Sequence, residues 1–417
     1  FHFKLSYMDS KISIYNTLSG KKEILKTSEA EPIKLFICGP TVYDYPHIGN
    51  ARTYLNFDII VRYLRSQNIK VFYLQNITDV DDKIINKALE EKVSWKKIAL
   101  KFEKIYHRNE KSLNIKGVDK YARATKFISE IINQVQTLID KGYAYKIEED
   151  GYYFDISKFI EYGKLSHRTL EAAEDAVTRI DDSLNKRNKG DFCLWKLSKD
   201  KPSWKTTLGA GRPGWHIEDT AITEKFFGPQ YDIHGGAIDL KFPHHEAEIA
   251  QQEAASGKKP LVKIWMHAGF LLVNGEKMSK SKNTFISIND FLTKHSVEVL
   301  RYLVLSHHYR SPMNYTEELC LQAENSLNNF REIFAKLNFV IKKGSSKSMQ
   351  NNLISDLEKT TTDFYSAMDD DFNTPLALST IFLLINKYQK DIYSLSKKQA
   401  LLILKTIFGL LKIFGLN

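Results

Sequence analysis

LFICGPTVYDYPHIGNARTY, residues 35–54, decides the fold. The apolar run Leu35-Phe36-Ile37-Cys38 reads as a buried strand. Gly39-Pro40 ends that strand and starts a loop. After His47-Ile48-Gly49-Asn50 a helical pattern runs through Leu64. A strand, a glycine-containing loop and a helix start together offer backbone N–H groups and a positive dipole end to a phosphate. A His beside Gly49 can lie close against a nucleotide, because glycine lets the backbone approach. Taken alone, a His in such a turn is more often an ordinary polar loop residue.

Working outward, Val71–Ile77 is the next strand, rich in β-branched and aromatic residues, so residues 35–77 begin a βαβ unit. The alternation predicts an α/β fold, a Rossmann-like parallel sheet. Ligands sit at the carboxyl ends of such strands, where Cys38 and Thr78 fall. Residues 84–141 read as mostly helical, with Ile98, Phe102 and Ile105 on one face and Ile132, Val135 and Leu138 on another. Tyr143–Phe154 reads as strands, Gly209–Trp215 as a loop from its Gly and Pro content, and Phe242–Ala255 as a helix. Beyond Asp290 the chain reads as all-helical, with no strand signal. The expected organisation is 10–114 as the first half of the catalytic domain, 115–205 as a connective insertion, 206–270 as its second half, 271–310 as a lysine loop and stem-contact region, and 311–417 as a helical bundle. The basic turn Lys186–Lys189 before Phe192–Lys196 reads either as an RNA contact or as a surface turn before a buried strand.

Far downstream stands Lys277-Met278-Ser279-Lys280-Ser281. Two lysines three apart, flanked by Ser after Gly275, make a cationic clamp for a polyphosphate; alone, they would read as a solvated basic loop. In this order, HIGN and KMSKS resemble the two signature motifs of class I aminoacyl-tRNA synthetases, with Asn50 where the first motif usually carries a second His. The stretches Cys38–Asp44, Asn76-Ile77-Thr78-Asp79-Val80-Asp81-Asp82-Lys83, Gly214-Trp215-His216-Ile217-Glu218 and Phe242-Pro243-His244-His245-Glu246-Ala247-Glu248 narrow the resemblance to the cysteinyl-tRNA synthetase family, from about residue 10 to the end.

The resemblance implies ATP-dependent activation of L-cysteine to the adenylate and its transfer to the 3′ end of tRNA(Cys). It implies His47, Lys277 and Lys280 as catalytic residues. Gly39, Thr41, His47, Gly49, Asn50, Asp239, Gly269 and Lys280 would bind ATP, and Cys38, Thr78, Trp215 and His234 the amino acid. Mg²⁺ is expected with ATP. By spacing, Cys38 with His244 and Glu248 one helical turn apart could hold zinc, although such a pair is commonly a surface pair and a lone Cys usually a core residue. In the family zinc is held by two Cys, a His and a Glu. The second family Cys follows Trp-His-Ile-Glu; here Asp219 stands there, which implies a weakened site of Cys38, Asp219, His244 and Glu248. Ligases joining cysteine to an amino sugar share this body, so the acceptor separates the two readings. A non-catalytic RNA-binding relative is disfavoured by His47, Lys277 and Lys280.

Composition is ordinary for a soluble globular protein, with 43% apolar and 26% charged residues, and the length allows two or three domains. The 60 Lys and Arg against 50 Asp and Glu give a net charge of +10, which suits an anionic partner such as RNA. Residues 311–417 hold twelve Lys/Arg and eleven Asp/Glu, so the excess positive charge lies upstream. Three Cys are too few for a disulfide framework and point to a reducing cytoplasm. The amino-terminal stretch does not read as a secretory signal, and no apolar run is long enough to span a membrane. A monomer is expected.

Overall fold

The computed structural model describes residues 11–168, 183, 185–278, 284–344 and 352–416. Its centre is a five-stranded, wholly parallel sheet. The strands are β1 (Ile33–Ile37), β2 (Val71–Ile77), β3 (Lys120–Arg123), β4 (Tyr231–Ala237) and β5 (Val262–Ala268). They lie in the order β5-β4-β1-β2-β3. The order reverses direction around β1, and the crevice beyond the carboxyl ends of β1 and β4 is where doubly wound sheets bind ligands. α1 (Ile48–Ser66) follows β1, α2 (Ile217–Phe227) precedes β4, and α3 (His244–Ser256) links β4 to β5. Both faces of the sheet are covered, so β2 reads as nearly continuous buried residues rather than an alternating pattern.

An antiparallel sheet between β3 and α2 runs through Ala144–Ile147, Gly151–Phe154, Phe192–Leu197, Gly209–Pro213 and Trp204–Thr206. Two expectations are corrected here. Gly209–Pro213 is a strand rather than a loop. It pairs with Phe192–Leu197 along Gly211↔Leu197, Arg212↔Lys196 and Pro213↔Trp195. Tertiary pairing overrides the low strand preference of Gly and Pro. The sheet thus extends past residue 205, and Lys120–Arg123, assigned to the insertion, is an edge strand of the central sheet. The Lys186–Lys189 stretch leads into the buried strand Phe192–Leu197, with Arg187 Nη1 donating to Asp155 at 3.3 Å.

The carboxyl-terminal part is helical. α4 (Glu317–Lys343), α5 (Leu353–Asp369), α6 (Thr374–Tyr388) and α7 (Lys397–Ile413) form the bundle. The expectation of no strand beyond Asp290 fails at Met313–Tyr315, which pairs in parallel with Leu271–Val273. Three residues are too few to display an alternating pattern. That strand joins the bundle to the hairpin Leu271–Val273/Glu276–Lys277 that leads into the lysine loop.

The junction is pinned by Asp371, itself buried. Its carboxylate accepts from the Tyr15 backbone N–H at 2.9 Å, the Tyr309 hydroxyl at 2.7 Å and the Arg310 guanidinium at 2.7 Å. Removing one partner of such a cluster strands the others in a dry site. Asp371→Ala is expected to destabilise the chain by about 3 kcal/mol, read as a lowered urea midpoint; an unchanged midpoint would show that this carboxylate does not hold the joint.

Candidate active site

Cys38 and Thr78 stand one residue beyond β1 and β2, at the carboxyl edge of the sheet. The loop after β1 is tied to the end of β2: Thr78 N donates to Pro40 O at 3.1 Å and Val42 N to Thr78 O at 3.2 Å. Gly39 lies so close to the Asn76 carbonyl that any Cβ would overlap it, and its N–H donates to Asn76 Oδ1 at 2.5 Å. Around this edge opens a cleft of ≈ 410 Å³. Its lining includes Cys38, Gly39, Thr41, His47, Asn50 and Thr78, with Trp215, Asp219, Asp239, His244, Met278 and Phe285.

His47 is the N-cap of α1. Its Nδ1 accepts from Asn50 N at 3.3 Å, and Asn50 Oδ1 accepts from His47 N at 3.1 Å, a reciprocal capping box. Asn50, the departure from the usual motif, therefore holds the histidine turn in shape. Burial pushes the His47 imidazole below its ordinary range, with Asp239 pulling weakly the other way. A neutral imidazole whose Nδ1 accepts carries its proton on Nε2, which leaves one N–H donor for a ligand in the cleft.

The lysine loop brackets the same turn. Met278 Cε lies 3.8 Å from where a Cβ on Gly49 would stand, and the His47 and Phe285 rings meet edge to face at 5.7 Å. Ile48 N donates to Ile286 O at 3.1 Å. Lys277 is exposed, its Nζ 5.1 Å from the Phe270 ring centroid, and it does not line the cleft. Lys280 lies outside the described residues. Gly49, Gly269 and His234 are likewise absent from the lining. His234 is fully buried behind Cys38, with Nε2 at 3.4 Å from the thiol sulfur and Nδ1 at 2.5 Å from the Tyr231 hydroxyl.

Below the cleft lies a buried cluster of metal-ligand types. Asp219 Oδ2 stands 3.0 Å from His244 Nε2 and 3.6 Å from Cys38 Sγ, and Glu248 Oε1 stands 3.1 Å from His244 Nε2. A second set, Cys38, His234, His245 and Glu248, shares two members with the first. His245 Nε2 is 3.2 Å from Cys38 Sγ, and its Nδ1 is 2.9 Å from His267 Nε2. Burial, then the carboxylates of Glu248 and Asp219, push the Cys38 thiol well above its ordinary range, and burial does the same to Glu248. Asp219 Oδ1 is buried without a hydrogen-bond partner. Crowded anionic donors in a dry site with an orphaned oxygen are what a divalent cation relieves, and sulfur with imidazole and carboxylate suits zinc. The residues present therefore fit that ion.

Sequence reasoning gave no separate role to three side chains here. Glu218 is fully buried and accepts from the Thr78 hydroxyl and from Asn76 Nδ2, the latter at 3.2 Å. His245 adjoins Cys38. Lys83 is the one Lys or Arg lining the cleft among the described residues. All three lie in motifs quoted above, but nothing in their spelling separates a lining residue from its neighbour. Trp215 stacks on His244, with ring centroids 4.6 Å apart and planes at 26°.

A family model described as the tRNA synthetases class I (C) catalytic domain matches residues 24–325, and one described as the DALR domain matches 363–416. A Cysteine--tRNA ligase from Coxiella burnetii (strain RSA 493 / Nine Mile phase I) is 44% identical over 408 residues, covering 96% of this chain and 86% of that protein. One from Methanococcus vannielii is 44% identical over 402 residues, covering 95% and 84%. Among solved structures, Mycobacterium tuberculosis methionyl-tRNA synthetase in complex with methionyl-adenylate aligns with a TM-score of 0.67 at 16% identity, over 93% of this chain and 90% of that one. At that identity the likeness is one of fold. No helix among the described residues is long and apolar enough to cross a membrane.

Proposed function

The chain belongs to the class I synthetase family of the cysteine--tRNA ligases, and from that premise we propose how its own residues divide the work. The reaction joins the cysteine carboxylate to the α-phosphate of ATP with loss of pyrophosphate, then passes the aminoacyl group to a hydroxyl of the 3′-terminal ribose of tRNA(Cys) with release of AMP. No protein nucleophile is needed, so the residues act by positioning and by stabilising charge. ATP, with Mg²⁺, lies across the histidine turn, with its phosphates toward His47 Nε2–H and the start of α1. Gly39, Thr41, Asn50 and Asp239 shape the nucleotide side from the cleft lining, and for Gly49 and Gly269, outside that lining, the role rests on the family resemblance. Lys280, with Lys277, neutralises the departing pyrophosphate; this role rests on the KMSKS spelling. The Thr78 hydroxyl donates to Glu218 and its oxygen accepts from Asn76 Nδ2 at 3.3 Å, which leaves one lone pair to accept from the substrate ammonium, and Trp215 closes over the small side chain. His234 supports Cys38 from behind.

Cys38, Asp219, His244 and Glu248 would hold one zinc ion. Bound there, zinc supplies a soft Lewis acid that favours sulfur over oxygen. A selective device of that kind is needed because cysteine and serine are nearly isosteric, and apolar contact separates such pairs by only about 1–3 kcal/mol. The bundle would seat the tRNA stem, and the place of action is the cytoplasm, in keeping with three buried cysteines that form no disulfide among the described residues.

The observation that carries this reading is the convergence of Cys38, His47 and both flanks of the lysine loop on one cleft. The test is ATP–pyrophosphate exchange with cysteine and with serine, with and without a chelator. Cysteine should drive exchange, and serine should be rejected by more than the ~200-fold that apolar contact can supply. The chelator should collapse that margin. Exchange independent of cysteine, or charging of an amino sugar in place of tRNA, would overturn the assignment.

A further inference from the structure

Arg52 lies on α1, five residues beyond His47, and has no place in the cleft lining. Its side chain is only 1% exposed. A buried guanidinium ordinarily meets a carboxylate, because an unpaired charge in a dry site is costly. The partners of Arg52 are instead backbone carbonyls. Nη1 donates to Gly269 O at 2.7 Å and Phe270 O at 2.5 Å, and Nη2 donates to Tyr309 O at 3.4 Å and to Ser311 O. Nε is buried without a partner. The planar fork of arginine can serve several acceptors at once, which the point charge of lysine cannot.

The four carbonyls belong to two segments that meet at this side chain. Gly269-Phe270 joins β5 to the hairpin that ends at Lys277 and continues to Met278, in the cleft. Tyr309–Ser311 precedes the strand Met313–Tyr315, which pairs with that hairpin. The segments touch closely: Gly269 N donates to Tyr309 O at 2.8 Å. A Cβ on Gly269 would stand 2.5 Å from Ser311 O and 2.6 Å from Arg310 O. The same helix thus carries His47 at its start and, one turn on, the bolt that holds the stem of the lysine hairpin.

We propose that Arg52 is a positioning residue, fixing the histidine turn and the lysine hairpin at the spacing that ATP requires. This rests on the nucleotide site proposed above. Misplacing reacting groups by about an ångström can cost ~10²-fold, and the loss belongs to ATP rather than to cysteine, because the amino-acid side of the cleft is built from the ends of β1 and β2 and from β4, α2 and α3.

The test uses the full chain with Arg52→Gln and Arg52→Lys. Cysteine affinity is measured without ATP, and ATP kinetics by exchange. Arg52→Gln should lower kcat/KM for ATP by ~10²-fold with cysteine affinity kept within about twofold, and Arg52→Lys should recover part of the loss. If Arg52→Gln does not fold, Arg52→Lys decides by the same split. Unchanged ATP kinetics, or ATP and cysteine affinity falling together, would overturn the proposal. Wild-type protein lacking cysteine-dependent exchange would instead fault the proposed activity.

Discussion

Lys280→Ala is expected to lower kcat for cysteine-dependent exchange by about 10²–10³-fold, the cost of removing one group aimed at developing charge. Cysteine affinity, measured without ATP, should stay within about twofold, since no charge builds in the ground state. The size of the effect follows from what the described cleft lacks. His47 is held neutral by burial, so it donates a hydrogen bond but brings no charge. Asp239 and Asp44 add negative charge, and Lys83 is the one described Lys or Arg in the lining, with its Nζ 5.5 Å from the Tyr43 ring centroid. A leaving pyrophosphate therefore needs cations from elsewhere. The loop that begins at Met278 and returns at Phe285 starts and ends against the histidine turn. Lys277 is exposed and turned toward Phe270, so Lys277→Ala should cost less than Lys280→Ala. Equal losses in exchange and in cysteine affinity would sink the clamp role.

What the sequence disclosed follows from how local each requirement is. The strand, turn and helix of residues 35–66 were legible because a glycine close approach and a helix N-cap each demand particular residues within a few positions of one another. The four-residue spacing of His244 and Glu248 was legible for the same reason. The competing set through His245 was not. Every residue of α3 from His244 to Ala255 is buried, so no polar face shows which of two adjacent histidines turns toward Cys38. Arg52 and Glu218 were illegible for another reason. Their partners lie far along the chain, and their own neighbourhoods carry ordinary helix residues. Met313–Tyr315 and Gly209–Pro213 exist as strands only because distant segments present an edge to them, which propensity cannot reveal.

Purified protein is expected to carry close to one zinc per chain, and the choice between the two overlapping donor sets can be decided by substitution. Both sets use Cys38 and Glu248, so they accommodate a single ion. Asp219 and His244 line the cleft beside Cys38, whereas His234 and His245 do not. An ion that selects a substrate side chain must be reachable from the cleft, where that side chain can join as the zinc expands beyond four donors. That argues for Cys38, Asp219, His244 and Glu248, with the unpartnered Asp219 Oδ1 as further support. Asp219→Ala should then weaken zinc by more than the ~10–100-fold that losing an outer partner costs, while His245→Asn should stay within that range. Asp219→Cys should bind zinc more tightly than the natural chain, because thiolate is the softer donor. Competition with a chromogenic chelator reads all three without reference to activity. The reverse order, with His245→Asn releasing zinc and Asp219→Ala retaining it, would move the ion to the deeper set and leave Asp219 as an anion beside the substrate.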